Sequence, residues 1–159
     1  MPSPFFLELS EFDPEAIIAT REEIYRVLPQ RFEFEQLHGA THFDRERGIG
    51  VAFRHITLDD WWVRGHIPGR PIFPGALMLE AAAQAAAYFV GLMRTDKSFI
   101  AFGGVDQCKF RSAVVPPAKM FFICKLIENR PRRFIGDLQG VVNGELVFEA
   151  RVAGLAMAK

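Results

Sequence analysis

The chain has 159 residues, half of them apolar and 16 of them Phe, which suits one folded domain with a full core and excludes a disordered polar segment. Lys plus Arg equals Asp plus Glu at 19 each, so no basic surface for general nucleic-acid binding is expected. Cys108 and Cys124 lack CxxC or metal-ligand spacing and read as two reduced, mostly buried thiols.

The N-terminal run MPSPFFLELSEFD has neither a basic n-region nor a long apolar stretch, so no secretory signal is expected and the protein reads as cytoplasmic. Asp13-Pro14-Glu15 offers an N-cap, a proline for the first helical position and an acid near the positive helix end. A first helix is expected from there to Pro29, with Ile17, Ile18, Ile24, Tyr25 and Leu28 as its apolar face. Residues 32–58 turn strand-like, with Glu46-Arg47-Gly48 as a turn.

Residues 65–75 form a loop rich in Gly and Pro, and residues 76–92 predict one long helix. That helix carries Glu80 and Gln84 and is short beside the roughly 20 apolar residues of a membrane span, so a buried core helix is expected. Four strands should follow, over 100–110, 119–128, 133–142 and 145–155, the last two joined by a tight Asn143-Gly144 hairpin. No repeat or linker divides the chain, so residues 1–159 read as one α+β domain, an antiparallel sheet wrapped around a central helix.

Chemistry concentrates in GHIPGRPIFPGALMLEAAAQ, residues 65–84. Glu80 and Gln84, four apart, share one helix face. A carboxylate in an apolar helix is costly unless it is paired or performs work, and taken alone it also reads as a structural carboxylate satisfied by Gln84 and a backbone group. His66 heads a stiff loop of three prolines and two glycines, which would hold a base in place. Gly75 opens the helix, where free N–H groups and the dipole suit an oxygen gaining negative charge.

With every Gly and Pro in place, together with His66, Arg70, Glu80 and Gln84, this stretch resembles the β-hydroxyacyl-acyl carrier protein dehydratases of the His/Glu type. Ile67 and Ala76 stand where Phe and Val are usual. The resemblance extends to Leu28-Pro29-Gln30-Arg31-Phe32, where Gln30 replaces a His, and to Gly104-Val105-Asp106, Lys109-Phe110-Arg111 and Val114-Val115-Pro116. It covers residues 22–156 and leaves residues 1–20 as a poorly matched extension.

The resemblance implies a hot-dog fold, a homodimer that in some relatives forms a trimer of dimers, and sites built from the His of one subunit and the Glu of the other. It also implies a 3-hydroxyacyl thioester carried on acyl carrier protein, with no metal or dissociable redox cofactor and no nucleic-acid or membrane partner. His66 is then expected as base, Glu80 as acid, the Gly75 N–H as oxyanion donor and Gln84 as the residue orienting Glu80; which of His66 and Glu80 makes each proton transfer stays open. Ile67, Phe73, Leu77, Phe89, Phe99 and Phe102 are candidates for an acyl tunnel, each also acceptable as ordinary core. Arg70, Lys109, Arg111, Arg132 and Arg133 are candidates for docking an acidic carrier. A hot-dog acyl-CoA thioesterase would account for Glu80 and leave the His66 loop unexplained; a non-catalytic acyl-binding protein would not need both residues.

Overall fold

The computed structural model describes residues 4–96 and 98–158. A short strand β1 (Ala19–Thr20) leads into helix α1 (Arg21–Val27), followed by strands β2 (Gly39–Asp44) and β3 (Ile49–Ile56). The long helix α2 (Gly75–Met93) comes next, then β4 (Phe99–Phe110), β5 (Ala118–Arg130), β6 (Arg133–Val142) and β7 (Glu145–Met157). All seven strands form one antiparallel sheet in the order β1-β2-β3-β5-β6-β7-β4, the expected α+β architecture.

The first helix begins later than its sequence suggests. Asp13 accepts from Glu15 N–H at 2.9 Å and from Ala16 N–H at 3.1 Å, which closes a turn that goes no further. Ile18 N–H then bonds to Ala40 C=O and β1 joins β2, so pairing with the sheet takes residues 18–20 away from any helix. The helix is instead started by Thr20 and Glu23, whose side chains bond each other's backbone N–H in a capping box. Ile17 and Ile18 are exposed, while Ile24 and Tyr25 are buried.

Asn143 and Gly144, both at positive φ (50° and 78°), make the expected two-residue turn between β6 and β7. Register shifts in four strand pairs mark bulges, and bulges bend a sheet around what it encloses. Met78, Ala81, Ala82, Ala85, Ala86, Phe89 and Val90 of α2 are buried, and the helix packs chiefly on β5, β6 and β3. The alanines let strands approach closely while Met120, Phe122, Leu138 and Phe148 fill the layer between, each adding about 1.5–3 kcal/mol by leaving water. By length and composition α2 could cross a membrane, but half of that stretch is buried by the rest of the chain.

Burial of α2 is not all round. Glu80, Ala83, Ala87 and Gly91 keep partial exposure along one stripe. On the opposite face of the sheet a second core forms, in which Leu7 and Phe12 cover Ile49, Val51, Ile123 and Val141. Gln139, 1% exposed, holds this N-terminal segment by accepting from Phe6 N–H and donating to Pro4 C=O, both at 2.9 Å. The poorly matched extension is therefore part of the packing. Cys108 is half-buried on β4 and Cys124 buried on β5, both as free thiols.

Candidate active site

The first turns of α2 carry two separate clusters. Gly75 opens the helix, so its N–H has no partner within it, and it lines a cavity of about 360 Å³ with His66, Phe73, Met78, Phe110 and Ser112. A Cβ at position 75 would lie 2.9 Å from the Phe110 ring, so any side chain there would push the ring aside within the cavity. The His66 Nδ1 lies 2.9 Å from Ile72 C=O. A carbonyl only accepts, so Nδ1 carries a hydrogen and Nε2 is the ring nitrogen left to exchange a proton with a substrate. The His66 backbone N–H donates to Trp62 C=O at 2.9 Å, fixing the other side of the residue.

Glu80 lines a different chamber, of about 60 Å³, with Gln30, Ala83, Gln84, Ile100 and Phe102. At 100° per residue, Glu80 is about 140° around the helix from Gly75, so the two clusters open on different sides of it. One chain does not bring His66 and Glu80 together.

Gln84, 2% exposed, holds Glu80 through a fully used amide. Its Nε2 donates to Glu80 Oε1 at 2.8 Å and to Phe34 C=O at 2.7 Å. Its Oε1 accepts from Tyr25 O–H at 2.6 Å and Gln36 N–H at 3.2 Å. Tyr25 also accepts from Leu37 N–H at 2.8 Å, and burial pushes its phenol up to about 12. Behind this layer Arg54, 3% exposed, donates to Gln36 C=O and Oε1 and to Asp60, and lies 5.2 Å from the Phe73 ring centre. Burial lowers the Arg54 guanidinium and Asp60 opposes that shift. Tyr25, Gln36 and Arg54 form the buried polar layer behind Gln84, which sequence reasoning missed; the one visible signal was an arginine inside the apolar run of β3.

Of the tunnel candidates, Phe102 lines the Glu80 chamber and Phe73 the His66 cavity. Phe89 is core, stacked on Phe43 at 5.2 Å and edge-on to Tyr88, while Ile67 points outward and Leu77 packs on the core margin. Phe99 lines a groove of about 600 Å³, beginning where the Glu80 chamber ends and sharing Gln30, Ala87 and Ile100 with it. Arg111 is paired with Glu149 and Arg133 with Glu128; Arg70, Lys109 and Arg132 are exposed, with no ion pair among the described residues.

Residues 28–151 match the FabA-like domain model, and the chain belongs to that family. Curated relatives narrow it further. It is 35% identical over 135 residues to the 3-hydroxyacyl-[acyl-carrier-protein] dehydratase FabZ of Escherichia coli O9:H4, covering 81% of this chain and 87% of that one. The FabZ of Neisseria meningitidis serogroup C is 31% identical over 134 residues, covering 81% and 88%. Among solved structures, the dehydratase heterocomplex ApeI:P of Xenorhabdus doucetiae superposes with a TM-score of 0.74 at 14% identity, over 86% of this chain and 91% of that one, which supports the fold.

Proposed function

We propose that the protein dehydrates 3-hydroxyacyl thioesters of acyl carrier protein to trans-2-enoyl thioesters, in fatty-acid or related acyl synthesis in the cytoplasm, as one catalytic domain. The observation that carries the reading is the pair of clusters on α2: a positioned imidazole beside a glycine N–H, and a carboxyl held by a saturated glutamine.

His66 Nε2 removes the C2 proton while the thioester oxygen gains negative charge against the Gly75 N–H. The electron pair left at C2 forms the double bond to C3, the C3–O bond breaks, and Glu80 protonates the departing hydroxyl to release water. His66 then gives up its proton and Glu80 regains one by exchange with solvent. Substrate and products lie at one oxidation level, so the step needs no redox partner.

Because the two clusters open on different sides of α2, the complete site takes His66 from one copy and Glu80 from another. Strand β4 suits that assembly: its free side is a sheet edge, with Phe99, Phe102, Val105 and Phe110 exposed along it. Arg70 and Lys109, close in sequence to the His66 cavity residues, would meet the acidic carrier.

A 3-hydroxyacyl-carrier substrate should yield rising enoyl absorbance with no free thiol. His66→Ala and Glu80→Gln proteins should lose about 10²–10⁴-fold in turnover while staying folded. Full turnover in either folded variant would remove these assignments, and release of thiol in place of enoyl product would make the protein a thioesterase.

A further inference from the structure

The Glu80 chamber contains three polar side chains in an otherwise apolar wall: Glu80, Gln84 and Gln30. Gln84 has no hydrogen-bonding capacity left, because both amide hydrogens and both carbonyl lone pairs are taken. Gln30 differs. Its backbone is fastened by Arg31, whose Nη1 donates to Leu28 C=O at 2.8 Å and Gln30 C=O at 2.7 Å. Its side-chain Oε1 is buried and has no hydrogen-bond partner among the described residues. A buried acceptor without a donor is destabilising, so the position calls for a ligand that brings an O–H or N–H.

We infer that Gln30 is a substrate-positioning residue whose Oε1 accepts a hydrogen bond from the C3 hydroxyl of the substrate, a role that rests on the dehydratase reading. The chamber has room for a hydroxyl and its neighbouring atoms but not for an acyl chain. A hydroxyl has one hydrogen and two lone pairs. If Gln30 takes the hydrogen, a lone pair turns toward Glu80, which protonates the oxygen as the C3–O bond breaks. Two polar points on an apolar wall then fix which configuration at C3 places the oxygen correctly. A substrate lacking the hydroxyl leaves Gln30 unpaired and loses that interaction.

The test compares two unreactive amide analogues of the carrier-arm thioester, one with the 3-hydroxyl and one without, binding to wild type and to Gln30→Met. Wild type should prefer the hydroxylated analogue, and Gln30→Met should lower that preference about 5–10-fold. Its kcat/KM and its discrimination between C3 enantiomers should fall together. Gln30→His keeps an acceptor nitrogen and should restore both. Stability separates this role from a structural one: removing an unpaired acceptor should leave Tm unchanged or raised. Gln30→Ala serves the same comparison if the Met variant does not fold. An unchanged preference in an active enzyme overturns the Gln30 role alone, as does equal weakening of both analogues, which would place the contact on the carrier arm. A wild-type protein with no enoyl-forming activity overturns the dehydratase reading, and the Gln30 role with it.

Discussion

Gln84 spends all of its hydrogen bonds on holding other groups, which makes it a support for Glu80 and leaves it nothing to offer a substrate. Its replacement should therefore be felt in stability as well as in rate. Gln84→Ala leaves the Phe34 carbonyl, the Gln36 N–H and the Tyr25 hydroxyl short of partners in a buried place. A loss of about 2–4 kcal/mol is expected, read from urea unfolding, with kcat reduced in the protein that still folds. His38 gives a pH signature of its own. Burial and the nearby Arg54 push its imidazole down to about 4, and its Nδ1 accepts from the His55 N–H at 2.8 Å. The unfolded chain binds this proton near pH 6.5, whereas the folded chain does so only near 4. The contribution to stability is complete above about pH 6.5 and is lost as pH falls toward about 4. Melting temperature should decline across that window, and His38→Asn should flatten the decline.

At the scale of elements, the start of α2 joins helix geometry to chemistry. Ala in place of Gly75 improves helix propensity by up to about 1 kcal/mol, yet its methyl would meet the Phe110 ring in the His66 cavity. Gly75→Ala should therefore melt no lower than wild type while losing at least about tenfold in kcat/KM. Adding Phe110→Leu should recover part of that activity; no recovery would mean that the Gly75 position acts by another route. The N-terminal segment is the other element with a definable task. With Leu7 and Phe12 gone, Ile49, Val51, Ile123 and Val141 would face water on the outer sheet surface. Removing residues 1–12 should lower Tm and promote aggregation, and a truncated chain with unchanged Tm would make the extension ornamental.

At the scale of the whole molecule, the proposed dimer would draw each of its two sites half from one chain and half from the other. Mixing refolded His66→Ala and Glu80→Gln chains should restore about a quarter of wild-type activity, because half of the dimers are mixed and each mixed dimer has one complete site. Each variant alone stays inactive. Charging the edge of β4 with Val105→Asp should give folded monomers without turnover, measured by sedimentation beside the enoyl assay. Should those monomers turn over normally, a single chain would hold the whole site.

The legible parts of this protein were local ones. The loop before α2, the Glu80–Gln84 spacing, the length of the helix and the Asn143-Gly144 hairpin depend on prolines, glycines and a 3.6-residue period that act over a few residues. Even there a competing local signal misled: Asp13-Pro14-Glu15 reads as a helix start, but β1 pairs with β2 and the Thr20 capping box begins the helix instead. Tertiary structure alone decided which faces of α2 were covered, because an alanine is equally acceptable against a strand or along an open groove. It also decided who holds Glu80: the hydroxyl serving Gln84 comes from Tyr25, 59 residues away, and the buried cation behind it comes from β3. Periodicity carries no information about pairing at that distance. The same accounting of partners in space gives Gln30 a task, where the sequence showed only that it replaces the His of the resembling motif.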